Sequence, residues 1–286
     1  MDAAKIAEIN GKLQGRSFRS ADVFDVDGVV VRGRLLFNLI YAVAMEMEEK
    51  REYRKLFREK LELAHWGQIS SYTLGLDAID LADNNFFVGL ESDRVRGIAL
   101  KMARRSLGNS YPFARHLIDA LHERPVEQRR LVLAITGTPE EIATPLCQLL
   151  GFDAVISTVY HTDAKGRYTT GRNLEAGLKK GSIMDQLADE CRIDWEGSIG
   201  AGDSKRDIEI LERVSHPLAV NPETPMQDYV RSHPKVAFIS DSQKKGIHMF
   251  RADDKGRLHE VGYEDILPSD IAQVMTLSSG TIPPHC

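Results

Sequence analysis

The apolar positions of this chain follow two regimes. Over residues 2–14, Ile6, Ile9 and Leu13 recur near helical spacing and predict an amphipathic helix. Residues 21–24 (ADVF) form a short, mostly apolar run that meets acids and a glycine, the signature of a buried strand entering a loop. From about 35 to 107 there is no proline, and Leu, Met, Ala, Glu, Lys and Arg dominate, which predicts a run of helices. Inside it, residues 46–60 carry both signs of charge densely. They read as a solvated helix face laced with i,i+4 pairs, with a partner-docking surface as the alternative.

Beyond residue 111 the texture alternates. Strands are expected at 131–136, 154–157, 198–201 and 218–220, and helices at 113–122, 139–150, within 174–191 and at 205–214. The helix at 139–150 is expected to be capped by Thr138, with Pro139 in its first turn and Glu140 and Glu141 near its positive end. Short apolar strands alternating with helices predict an α/β fold, a Rossmann-like doubly wound parallel sheet with helices on both faces. Ligands gather at the carboxyl ends of such strands. Asp25, Thr136 and Asp203 end or follow apolar strands, so one edge presents all three. The helical stretch then reads as an inserted all-helical cap over that edge. The expected division is a discontinuous core, 1–32 and 109–240, a cap at 33–108 and a C-terminal extension at 241–286. After Pro234 the signal fades: 248–250 and 258–261 suggest a hairpin around 254–256, and the last nine residues a loose tail.

Charge and cysteine usage narrow the classes. The net charge of −5 carries no basic excess, which argues against a nucleic-acid partner. The longest apolar run, 35–45, is too short to span a bilayer, and the N-terminus lacks a basic segment followed by an apolar one. Cys147, Cys191 and Cys286 are odd in number and far apart, as expected of reduced thiols in a cytoplasmic protein. His161 and His248 have no ligand spacing. His65–Trp66 reads first as cap packing, and the oligomeric state is not legible.

The candidate chemistry lies in four segments: FDVDG at 24–28, AITGT at 134–138, LKKG at 178–181 and GAGDSKRD at 200–207. Asp25 is a carboxylate able to attack phosphorus and form an acyl phosphate. Asp27 can give a proton to the leaving oxygen and later take one from water, which requires a raised pKa. A D-x-D-G turn with exposed acids is the bland alternative. Thr136 and Gly137, with free N–H groups at the next helix start, suit phosphate oxygens. Otherwise Thr136 simply ends a strand. Lys180, rather than its solvated neighbour Lys179, offers an ammonium to offset the charge of a transferring group. Asp25, Asp203 and the backbone carbonyl of Asp27 are hard oxygen donors of the kind Mg²⁺ takes. Asp207 is expected to brace Lys180 or a metal-bound water, and an N-cap role for Asp203 remains open.

In this order the segments resemble the haloacid dehalogenase superfamily of aspartyl-phosphate phosphatases, over about 20–225, most nearly its phosphoserine-phosphatase-like branch (subfamily IB). HPLAVNP at 216–222 supports the likeness. The resemblance implies Asp25 as nucleophile, Asp27 as general acid/base, Thr136 and Lys180 on phosphate, and Asp203 on Mg²⁺. Two departures stand out. Val29 replaces a frequent Thr. Arg34 stands near the place where phosphoserine phosphatases carry a glutamate for the substrate amine, which argues against phosphoserine; Arg32 and Arg34 suit an anionic substrate or form a solvated hinge. The expected activity is Mg²⁺-dependent hydrolysis of a small phosphomonoester. The alternatives are a phosphotransferase using the same intermediate and a catalytically silent regulator.

Overall fold

The computed structural model describes residues 1, 3–16, 19–68, 71–125 and 128–279. Helix α1 (Ala3–Leu13) buries Ile6, Ile9 and Leu13, the stripe its spacing predicts. The chain then enters β1 (Ala21–Phe24), buried throughout. Five helices follow before the next strand, the first four being α2 (Leu35–Glu46), α3 (Tyr53–His65), α4 (Ser71–Asp83) and α5 (Ser92–Ser106). Helix α6 (Pro112–Glu123) opens on a proline, whose fixed φ and missing N–H suit a first turn. Next come β2 (Leu131–Pro139), α7 (Glu140–Leu149), β3 (Ala154–Thr162), β4 (Tyr168–Asn173), α8 (Glu175–Leu178), α9 (Lys180–Cys191) and β5 (Ile199–Gly202). The chain finishes through α10 (Ile208–Leu211), β6 (His216–Val220), α11 (Thr224–Ser232), β7 (Ala237–Ser242), β8 (Gly246–Ala252), β9 (Leu258–Glu260) and α12 (Ser269–Ser279).

The strands form one sheet in the order β4-β3-β2-β1-β5-β6-β7-β8-β9. Its six central strands, β3 to β7 through β1, are parallel. Antiparallel strands extend both edges: β4 on β3, and β8 then β9 on β7. Successive residues of β1 point to opposite faces. Val23 joins Ile9, Leu133, Ile183 and Leu187 under α1 and α9. Phe24 faces the other layer and meets Phe152 edge-on, with centroids 5.7 Å apart. The helices between β1 and β2 share that second cluster, since Leu39, Phe57, Ala78 and Val95 are continuous with Phe24. The observed fold is therefore the expected α/β one, with the helical run α2–α5 between the first two strands.

Several elements were not anticipated. Strands β4 and β7 and helices α11 and α12 lie where the local pattern is weak. Strand β7 crosses residue 240, so the boundary expected there falls inside a sheet strand. The C-terminal segment is part of the main body: β8 and β9 form the suggested hairpin, and Ile266, Leu267, Ile271 and Met275 are buried in the cluster shared with α6. Burying a large aliphatic side chain contributes roughly 1.5–3 kcal/mol, enough to hold such a segment down. Ser278 and Ser279 close α12, and the rest of the expected tail, with Cys286, lies outside the described residues. Cys147 and Cys191 are buried free thiols. Among the described residues no helix is long and apolar enough to cross a membrane.

Candidate active site

Strands β2, β1 and β5 lie side by side, and their carboxyl ends deliver the predicted groups to one rim. Asp25 follows β1 and continues its ladder, donating its N–H to the Ala201 carbonyl (2.9 Å). Lys180 is the first residue of α9 and is 3% exposed, so its ammonium needs partners. Its Nζ donates to Asp207 Oδ1 at 2.6 Å and lies 2.9 Å from Asp25 Oδ1. The other Asp207 oxygen accepts from the Ser204 N–H (2.9 Å), the Ser204 hydroxyl (2.8 Å) and the Asp203 N–H (3.2 Å). Ser204, not Asp203, thus caps the short 3₁₀ turn over Lys205–Asp207, in a capping box with Asp207. Asp203 keeps a buried Oδ1 with no hydrogen-bond partner.

Asp27 receives the Leu35 N–H at the start of α2, 3.2 Å from each of its oxygens. Gly28 follows at φ +82°, where an L side chain is strained, and a Cβ built on it would lie 2.0 Å from Asp203 Oδ2. The glycine of the D-x-D-G turn lets the β1 and β5 loops touch. Thr136 is buried in β2, and its hydroxyl accepts the Thr138 N–H at 3.3 Å. The expected cap role of Thr138 is not realised: β2 runs on to Pro139, which holds the N-cap position of α7. The Thr138 hydroxyl bonds Asp27 instead. Gly137 packs backbone to backbone on Gly177, where a Cβ would come within 3.2 Å of the Gly177 Cα, and this contact brings α8 and Lys180 up to β2.

Electrostatics sharpen the picture. Burial and then the Asp25 charge push Asp27 up to about 7, against the pull of the Leu35 N–H, Arg34 and the Thr138 hydroxyl. Burial raises Asp25 too, and Lys180 only partly opposes this because Asp207 shares the same ammonium. Burial works against the Lys180 charge, but Asp207 and Asp25 more than offset it and hold the ammonium protonated. Asp203 is raised well above the carboxylate range by burial and by its neighbours Asp207 and Asp25. Four carboxyls therefore crowd around one ammonium, since the nearby Arg34 is paired with Glu223. Carboxylate oxygens of Asp25, Asp203 and Asp207 lie within 4.8 Å of one another and can hold a metal ion. Asp207 already has both oxygens engaged, so Asp25 and Asp203, with its orphaned Oδ1, are the free donors. This residue set fits a hard divalent cation.

Asp25, Asp27, Thr136, Gly137 and Lys180 line one cleft of about 540 Å³. Leu76, Ile79 and Leu178 contribute apolar wall to it. Asp203 lines an adjoining space of about 580 Å³. Arg34, Glu223 and Pro225 border both. The two arginines part company. Arg34 reaches the cleft but is ion-paired to Glu223. Arg32 lines neither space: it donates to the Ser110 carbonyl (3.0 Å), lies 3.5 Å from Asp241 and covers the Tyr111 ring. Sequence reasoning missed Glu223, whose only local signal is its place in the loop after β6, at the same rim.

The family profile for haloacid dehalogenase-like hydrolase matches residues 23–212. The chain belongs to that family. Among curated proteins, this chain is 33% identical over 131 residues to the histidinol-phosphatase of Neisseria meningitidis serogroup C (strain 8013), covering 44% of this chain and 57% of that one. It thus spans little more than half the length of that relative. Among solved structures it shares its fold with a protein of unknown function from Bordetella pertussis Tohama I, at a TM-score of 0.54 and 17% identity, over 75% of this chain and 96% of that one. A phospho-aspartyl intermediate analogue of phosphoserine phosphatase aligns at a TM-score of 0.48 and 16% identity, over 74% and 90% of the two chains.

Proposed function

We propose that this hydrolase is a Mg²⁺-dependent phosphatase of small phosphomonoesters that works through an aspartyl phosphate on Asp25. One observation carries the reading: two carboxyls two residues apart face one cleft in different electrostatic company. Asp25 has the Lys180 ammonium 2.9 Å away, whereas Asp27 has the Asp25 charge beside it and titrates near 7. Divergent environments assign a nucleophile and an acid to one pair.

The Asp25 oxygen not held by Lys180 attacks phosphorus, and the ester P–O bond breaks. Asp27 gives its proton to the departing alkoxide, then takes one from the water that hydrolyses the aspartyl phosphate. Thr136 and Gly137 hold phosphate oxygens, and Lys180 offsets their charge. Mg²⁺, held by Asp25, Asp203 and the Asp27 carbonyl, supplies positive charge to the phosphoryl group when bound. The helices α2–α5 act as a cap that selects the leaving alcohol. The cytoplasm, where magnesium and phosphate esters abound, suits this activity.

The test is phosphate release from p-nitrophenyl phosphate and from a panel holding histidinol phosphate and O-phosphoserine, with and without Mg²⁺. Wild type is expected to turn over at least one ester only with Mg²⁺, and Asp25→Asn to lose at least about 10³-fold in kcat. Turnover that survives in Asp25→Asn, or no turnover of any ester, overturns the reading. The name of the Neisseria relative makes histidinol phosphate the first alkyl ester to try.

A further inference from the structure

We propose that Glu209 is a positioning residue for Lys180, so that two side chains two residues apart clamp the start of α9. This rests on the phosphatase reading for its consequence but not for its geometry.

Lys180 occupies the first position of α9, whose N-cap residue, Lys179, supplies no side-chain cap. The first N–H groups of a helix have no intrahelical acceptor. Here the Gly181 N–H donates to Glu209 Oε2 at 2.7 Å. Glu209 lies in the first turn of α10, just past Asp207, the residue that takes the Lys180 ammonium at 2.6 Å. One short segment therefore grips Lys180 twice, by its ammonium through Asp207 and by the next amide through Glu209. A carboxylate at that end of α9 also suits the helix dipole.

Arg213 closes the clamp from outside. It donates to the Glu209 carbonyl (2.9 Å) and forks onto both oxygens of Asp185 on α9 (2.8 and 3.0 Å). A Cβ on residue 181 would come within 2.8 Å of the guanidinium carbon, so a side chain there would push Arg213 aside. Gly181 and Arg213 thus hold α9 and α10 in one register. That register helps to set the Lys180 Nζ between Asp207 and Asp25.

Glu209→Gln keeps an acceptor for the Gly181 N–H, while Glu209→Ala removes it. The Glu209 side chain is exposed, so the alanine leaves no core cavity. The first readout is the Lys180 side-chain NMR resonance, assigned by its absence in Lys180→Arg. It is expected to move in Glu209→Ala and to return to its wild-type position in Glu209→Gln. The second is kcat/KM on p-nitrophenyl phosphate together with inhibition by inorganic phosphate. The alanine is expected to weaken both about 10-fold or more, and the glutamine to stay within about 2-fold of wild type. An unmoved Lys180 resonance in Glu209→Ala, or a glutamine variant as impaired as the alanine, overturns the proposal. If no ester is hydrolysed by wild type, the phosphatase reading fails while the resonance still decides the clamp.

Discussion

Asp25 and Asp27 show how one burial can yield two chemistries. Both carboxyls are pushed up by desolvation, but only Asp25 touches an ammonium. Asp27, raised to about 7, is protonated below that pH and loses its proton as the pH rises through it. For an alkyl phosphate, kcat/KM is therefore expected to fall above about pH 7, because the departing alkoxide needs that proton. Asp27→Asn is expected to cost about 10²-fold or more on the alkyl ester and far less on p-nitrophenyl phosphate, whose leaving group departs without help. Equal losses on both esters would count against Asp27 as the acid. That Asp25, Asp27, Lys180 and Asp203 meet was legible because they sit in short motifs, the acids at strand ends and the lysine at a helix start. Thr138 was read as a helix cap because a Thr-Pro-Glu-Glu run explains itself locally; its bond to Asp27 depends on β2 running on to Pro139. Arg32, expected near the substrate, is taken up by Ser110, Asp241 and Tyr111, contacts 78 residues and more away in sequence.

At the level of elements, the loop after β1 and the loop after β5 meet through Gly28. In Gly28→Ala the new methyl would collide with Asp203 and the residue would hold φ +82° against its preference. The expected result is a loss of about 1–3 kcal/mol in stability and a higher Mg²⁺ concentration for half-maximal activity, read by urea unfolding and a metal titration. A second junction ties α12 to β1. Arg124, just past α6, lies 3.6 Å from the buried Asp22 and binds Asp270 of α12 at 2.7 Å. Burial raises Asp22 to about 6, with the Ile199 N–H and Arg124 pulling against it. Arg124→Ala strips a buried charge of its counterion, which costs up to about 3–5 kcal/mol. That cost is expected to be large at pH 8, where Asp22 is ionised, and small at pH 5, where it can stay protonated; denaturant unfolding at the two values checks it. Five of the six parallel strands were readable as apolar runs. The strands β4 and β7 were not, because YTTGRN and AFISDS acquire their strand character only from the neighbours they pair with.

For the whole molecule, the crowded acids predict a conflict that a cation resolves. Asp22 and Asp27 bind protons more tightly in the folded chain than at their ordinary value of 3.8, and Asp25 and Asp203 shift the same way. Stability from such groups is complete below that ordinary value and is lost as the pH rises through about 6 and about 7. Metal-free protein is therefore expected to melt at a lower temperature at pH 8 than at pH 5. Mg²⁺ at 100 times its dissociation constant should restore about 2.7 kcal/mol at pH 8, and much less in Asp203→Asn. A pH-independent melting temperature in chelator would contradict this charge balance. The sheet that carries the site also ends in a particular way. Beyond β7 the chain folds back twice, and its last strand is three residues long, with His259 and Glu260 turned to water. An outer strand so brief and so polar offers a stranger's backbone almost nothing to zip onto, so this flank is guarded against edge-to-edge polymerisation.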